Sequence, residues 1–177
     1  MFFLSIFFYS FILLHIAVCF CLIHFLIRAK NMYKNILVPI DLNDKGFSDK
    51  ALEIAVWHAK HANAKLHLLN VLPGIHMSMV ATYFPKDAAH QMKVDVKKQL
   101  DEFGAAHITD DVSYKTYIAE GKPYATILQY AQNVKADLII LPSHKRSKVD
   151  KVILGSVASK VVQNSPINVL VVKPQAK

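Results

Sequence analysis

The chain has 177 residues, 53% of them hydrophobic, and a formal charge of +8 at neutral pH. That suffices for one sizeable core and one principal domain, and the basic balance suits anionic ligands or acidic surfaces without bearing on fold. Both cysteines, Cys19 and Cys21, lie near the start, so residues 32–177 carry no thiol chemistry, disulfide or cysteine-bound zinc.

Residues 2–27 contain no Asp, Glu, Lys or Arg and hold seven phenylalanines, and Arg28, Lys30 and Lys34 follow at once. At 26 residues this run is long enough to cross a bilayer, which takes about 20. It lacks the basic start and small-residue cleavage site of a secretory signal. Two readings stand side by side for residues 1–31. One is a membrane anchor whose trailing positive charges keep residues 32–177 in the cytoplasm. The other is an upstream stretch that the cell never translates, because Met32 directly precedes what reads as the opening of a cytoplasmic domain. Without Arg28 and Lys30, the +8 of the chain becomes +6 for residues 32–177.

The run Ile36, Leu37, Val38, Pro39, Ile40 has the unbroken apolar character of a strand buried on both faces, and Pro39 should end its pairing. Asp41 follows at its carboxyl end. Ser48 is placed to cap a helix with Leu52, Ala55, Val56 and Ala59 on one face. Residues 66–72 form a second apolar strand, with a turn expected around Asn70 and Val71 and a stop at Pro73-Gly74. Residues 75–85 have no period and read as a loop. A long amphipathic helix is expected from Lys86 to about His107, with Ala88, Met92, Val96, Leu100 and Phe103 on one face.

Residues 112–118 alternate like an edge strand, Gly121 closes it, and Pro123 suits a first helical turn ahead of Ile127, Leu128, Ala131 and Val134. Residues 138–141 are a fourth, fully buried strand. The next helix starts at Gly155-Ser156 with Val157, Ala158, Val161 and Val162 inward, and residues 168–172 are the last strand. Alternating strands and helices predict a doubly wound, five-stranded parallel sheet, Rossmann-like, in the order 3-2-1-4-5 with helices on both faces. Ligands of such sheets bind beyond the carboxyl ends of strands where the order reverses, which places Asp41 opposite residues 142–145. The connection from Pro142 to Leu154 is thirteen residues, long for a strand-to-helix loop and therefore functional in expectation.

Taken singly, Asp41 is a strand-end cap, His144 a loop histidine and Gly155-Ser156 an ordinary helix start. Their joint order is what carries a site. The opening I-L-V-P-I-D, Asn70-Val71, Ser143-His144, the Leu154-Gly155-Ser156-Val157-Ala158 helix start and the closing V-L-V-V-K resemble the universal stress protein family across residues 32–177, and the bacterial F/G type in particular. ATP-binding members carry G-x-x-G, nine residues, then G-S or G-T. Here the spacing is kept, but Pro142 and Lys145 replace the leading glycines. Pro142 brings no N–H, and Lys145 adds a Cβ together with a cation that can meet phosphate.

The resemblance implies a homodimeric, ATP-binding regulatory protein of the stress response with little or no turnover, at most slow ATP hydrolysis. It implies a nucleotide site built from Pro39, Asp41, Val71, Pro142, His144, Lys145, Gly155, Ser156 and Val157, with Asp41 on the ribose and the backbone at Val71 on adenine. No residue is assigned as catalytic or as a metal ligand, and Mg2+ would be carried by the phosphates. The dimer would form through the last strand, Val169 to Val172. The alternative is a member that does not bind ATP and works through protein partners, or through basic-surface contacts with RNA or membrane. Nucleic acid is not the expected partner, because the tyrosines are not interleaved with arginine. Nor are there P-loop or G-x-G-x-x-G signatures, or the H-x-G-H signature of a nucleotidyl transferase. The expected location is the cytoplasm, or the cytoplasmic face of the inner membrane if residues 1–31 are made.

Overall fold

The structure, a computed structural model, describes residues 32–44, 46–72, 86–143 and 154–173, without the side chains of residues 86–89. Residues 1–31, the expected loop at 75–85 and the basic stretch 144–153 lie outside the described residues. Among the described residues, no helix is long and apolar enough to cross a membrane.

Five strands, β1 (Asn35–Pro39), β2 (Lys65–Leu72), β3 (Tyr114–Glu120), β4 (Leu138–Pro142) and β5 (Asn168–Val172), alternate with four helices. These are α1 (Asp49–Ala62), α2 (Lys86–His107), α3 (Pro123–Asn133) and α4 (Ser156–Asn164). The strands form one parallel sheet in the order β3-β2-β1-β4-β5, as the alternating pattern predicts.

The unbroken apolar character of β1 has a direct cause in strand geometry. Successive side chains point to opposite faces, and both faces are covered. Ile36 and Val38 pack with Ala51, Leu52 and Ala55 of α1 and Leu100 of α2. Leu37 packs on the other side with Ile127 and Ala131 of α3 and Ala158 and Val161 of α4. β4 divides in the same way, Leu138 and Ile140 to the first layer, Ile139 and Leu141 to the second. At about 25 cal/mol per Å² of apolar surface buried, these two layers supply most of the driving force for folding.

Four local expectations need correction. Asn70 and Val71 are not a turn: both lie inside β2, paired with Ile118 and Ala119 of β3. The edge strand begins at Tyr114 and runs to Glu120, two residues later than its alternation suggests, and Val112 is buried in the preceding turn. Val162 is 46% exposed, because a nine-residue helix buries only the stripe through Ala158 and Val161. Ser48 sits at the N-cap of α1 but makes no capping bond through its side chain.

One buried polar network lies under α3. His67 is 5% exposed, with Nε2 3.1 Å from Asn35 Oδ1 and Nδ1 3.2 Å from Tyr117 Oη. Burial holds its pKa below the ordinary histidine value, and the charges of Lys65 and Lys115 add to this. A neutral ring satisfies both contacts, Nε2–H donating to Asn35 and Nδ1 accepting from the tyrosine hydroxyl.

Candidate functional site

β1 pairs with β2 over five residues, but with β4 only at Ile36–Leu138 and Leu37–Ile139. β4 meanwhile stays on β5 as far as Pro142–Val172. The sheet therefore parts between β1 and β4 at its carboxyl end. This is the place where the chain, having built β2 and β3 on one side of β1, continues on the other side with β4 and β5. A cavity of about 340 Å³ lies there, within the size range of small-molecule sites.

The wall contributed by β1 is held by one further backbone bond to β2 and by two side chains. The Ile40 N–H donates to the Leu69 carbonyl at 2.8 Å, and the buried Asn70 Nδ2 donates to the Ile40 carbonyl at 2.9 Å. One residue further, the Asp41 N–H donates to Ser48 Oγ at 3.0 Å. This explains the missing cap on α1, since the hydroxyl is aimed backward at the strand end. Asp41 Oδ1 accepts the Asn43 N–H at 3.0 Å, which fixes the carboxylate at the cavity edge while its other oxygen can still accept.

β2 supplies backbone. In a parallel ladder the N–H and C=O of one residue point to the same neighbour, and the next residue's point to the other. Lys65 and Leu69 bond toward the β1 side, Leu66 and Leu72 toward β3. Val71 shares the parity of Lys65 and Leu69, so its donor and acceptor point to the β1 side, beyond the last residue of β1.

The remaining wall is made by two helix starts. Neither α3, entered through Lys122 with Pro123 in its first turn, nor α4, entered through Gly155, is capped by a side chain. The first amides of such helices have no intrahelical partner, and the helix dipole adds partial positive charge. Ser159 secures the entry to α4: its N–H donates to the Gly155 carbonyl and its hydroxyl to the Leu154 carbonyl, each at 2.9 Å. Lys160 Nζ lies 5.0 Å from the centre of the Tyr124 ring and ties α4 to α3. The result is a pocket with an apolar floor, one carboxylate and a donor-rich rim.

Of the residues expected from sequence, Pro39, Asp41, Val71, Pro142, Gly155, Ser156 and Val157 all line this cavity. His144 and Lys145 lie outside the described residues. Sequence reasoning missed Asn43, Phe47, Pro123 and Ile127 as walls, and took Asn70 for a turn. Asn70 alone carried a signal, since an amide inside a strand buried on both faces must have a partner. A larger hollow of about 660 Å³ adjoins Pro142 between α1 and the end of β5. Along its walls Lys50 pairs with Glu53 at 2.8 Å, and His107 Nε2 lies 3.9 Å from Asp49 Oδ1. Among the described residues, no three His, Cys, Asp or Glu side chains cluster so as to hold a metal.

Comparison with known proteins points the same way as the geometry. The profile of the universal stress protein family matches residues 32–173. Universal stress protein MJ0531 of Methanocaldococcus jannaschii is 31% identical over 158 residues, covering 85% of this chain and 88% of that protein. Universal stress protein G of Salmonella typhimurium is 30% identical over 145 residues, 80% of this chain and all of that one. Among solved structures, universal stress protein UspA from Lactobacillus plantarum superposes with a TM-score of 0.61 at 32% identity, covering 79% of this chain and 97% of its own. A universal stress protein in complex with cAMP gives 0.54 at 26% identity, covering 80% and 97%.

Proposed function

The chain belongs to the universal stress protein family, and from that premise we propose that it is an ATP-binding regulatory protein of the stress response, homodimeric and with little or no turnover. The observation that carries this reading is the convergence of Asp41, Val71 and the Gly155-Ser156 helix start on one cavity at the parting of β1 and β4. Each wall suits one part of a nucleotide. The backbone N–H and C=O of Val71 present a donor beside an acceptor, which complements the edge of adenine. The Asp41 carboxylate suits ribose hydroxyls. The uncapped start of α4, with its Ser156 hydroxyl, suits phosphate. A relative of the same fold has been solved with cAMP, which adds weight to a nucleotide ligand.

The described walls fit the nucleoside and one phosphate directly. Lys145, Arg146, Lys148 and Lys151, in the stretch between β4 and α4, are the cations available to further phosphates, and Mg2+ would arrive with them. Among the described residues lining the cavity, Asp41 is the one carboxylate, and no second stands beside it as a base or metal ligand. In this reading the site holds ATP with little or no hydrolysis. The dimer of this reading forms through β5, an edge strand whose Val169, Leu170 and Val171 are only partly buried. Sedimentation of the full chain would show it as a species of twice the monomer mass.

Equilibrium binding of labelled ATP tests the central point. Saturable binding that is competed by unlabelled ATP is expected. Absence of saturation at millimolar nucleotide would leave the alternative, a family member acting through protein partners or its basic surface.

A further inference from the structure

The hollow of about 660 Å³ and the cavity of about 340 Å³ have two residues in common, Phe47 and Pro142, so the two spaces are neighbours across one ridge. The ridge depends on the turn that leads into α1. Gly46 takes φ +80°, a left-handed conformation that a side chain would strain, and the Phe47 N–H donates to the Asp44 carbonyl at 3.1 Å. That turn carries Phe47 to the point where it borders both spaces.

The two spaces differ in what they offer a ligand. Among the described residues lining the smaller one, Asp41 is the one carboxylate. The larger has an apolar wall of Phe47, Val56, Pro142 and Val172 and a mixed charged wall, Asp49 and Glu53 with Lys50 and Lys173. The Lys50–Glu53 pair is solvent-exposed and therefore weak, which leaves both groups able to exchange toward a ligand. Two carboxylates disfavour a second free triphosphate, since like charges repel. They suit sugar hydroxyls, as Asp41 does across the ridge, and the apolar wall suits a base.

Ser143 gives an independent sign that the hollow is a site. It is 5% exposed and lines the hollow, yet among the described residues its hydroxyl has no hydrogen-bond partner, while its N–H donates to the Val172 carbonyl at 2.9 Å. Polar groups this buried are normally bonded. Ser143 follows Pro142 directly, so the open hydroxyl stands beside the ridge, where a group joining the two spaces would pass. α1 starts at the same place without a side-chain cap, because Ser48 bonds Asp41 instead, and its first amides have no intrahelical partner.

We propose that the two spaces form one extended site whose ligand is a dinucleoside polyphosphate. One nucleoside occupies the cavity beside Asp41, the second occupies the hollow beside Asp49 and Glu53, and the phosphate chain crosses Phe47 and Pro142 within reach of the Ser143 hydroxyl. This rests on reading the smaller cavity as a nucleotide site. A mononucleotide such as ATP uses the first space and leaves the second to water.

Calorimetric titration of the full chain with ATP and with diadenosine polyphosphates of two to five phosphates tests this. The expected result is one ligand per chain and, for one linker length, an affinity roughly tenfold or more above that of ATP, because the second nucleoside binds as a tethered group. Ala106 is exposed in the last turn of α2 and, of the two spaces, borders the hollow. Ala106→Trp should fill the hollow, bring the dinucleoside compound down to the affinity of ATP and leave ATP binding as it was. If ATP saturates and no dinucleoside compound binds more tightly, the extended site is overturned and the nucleotide reading stands. An advantage that persists in Ala106→Trp, or a stoichiometry of one ligand per two chains, overturns it as well, since the second nucleoside then lies elsewhere. If neither ATP nor any dinucleoside compound saturates, both readings fall.

Discussion

The Ser48 hydroxyl accepts the backbone N–H of Asp41 at 3.0 Å, and in doing so leaves the helix it introduces without a side-chain cap. Ser48 is 2% exposed, so this bond has no water to replace it. Ser48→Ala is expected to cost about 1–3 kcal/mol by orphaning the Asp41 amide. It should also weaken nucleotide binding by freeing the carboxylate from its place. Chemical denaturation and ATP titration of the variant check both effects, and unchanged binding would mean that Asp41 does not need this brace.

Asp41 can be examined without disturbing its turn. Asp41→Asn keeps an oxygen for the Asn43 N–H and removes the charge. A hydroxyl bound to a carboxylate contributes about 1.5–3 kcal/mol, so affinity for ATP should fall by roughly 10- to 100-fold. Dideoxy-ATP should bind the wild type and the variant about equally. If the variant loses affinity for both nucleotides alike, Asp41 is not reading the ribose.

Pro142 lines the cavity and offers it no N–H. Pro142→Gly restores a donor at the rim, and tighter ATP binding is expected even though the added chain freedom costs about 0.4–1 kcal/mol of stability. Calorimetric titration separates the two effects. Weaker binding in the glycine variant would show that a stiff rim matters more than the missing amide.

The folded pKa of His67 lies below its unfolded value of about 6.5. Below that pH the unfolded chain binds the proton more readily, so the stability owed to the neutral ring is present above about pH 6.5 and is lost as pH falls below it. Denaturation midpoints taken from pH 8 down to pH 5 should therefore fall, and His67→Gln should flatten that fall while lowering stability at pH 8. An equal slope in both proteins would place the titrating group elsewhere.

Gly121 joins β3 to α3 with φ at +142°, and a Cβ there would stand 2.8 Å from Thr126 Oγ1. Gly121→Ala combines a backbone conformation reserved for glycine with a steric clash, and a loss of about 1–3 kcal/mol is expected. Thermal unfolding measures it, and a loss well under 1 kcal/mol would mean that the turn can relax.

What was legible in the sequence follows from which forces act locally. The apolar run of β1 and β4, the stripe of α1 and the proline at the start of α3 are governed by period and by fixed φ, so the fold and its strand order could be read directly. Strand ends and a helix start pointed to Asp41, Pro142 and Gly155-Ser156, whereas Pro39, Val71 and Val157 entered only through the resemblance to the universal stress protein family. Ser48 and Asn70 were misread because their side chains act across the fold, on Asp41 and Ile40, and local pattern records no such partner. Phe47, Pro123 and Ile127 join the site only because β1 and β4 diverge. No single segment encodes that divergence.

The seam between β1 and β4, with β1 to β3 on one bank and β4 and β5 on the other, is fastened at its amino end by two rungs and by Asp137, which bonds the backbone of Lys34 and Asn35, and is open at its carboxyl end. A molecule resting on Asp41 and Val71 at one bank and on the start of α4 at the other would span that seam like a clasp. Its stabilising effect would then be felt far from the cavity. On nucleotide addition, hydrogen exchange should slow together in the β4–β5 bank and in β1, which would make the open end of that seam the point from which occupancy is communicated.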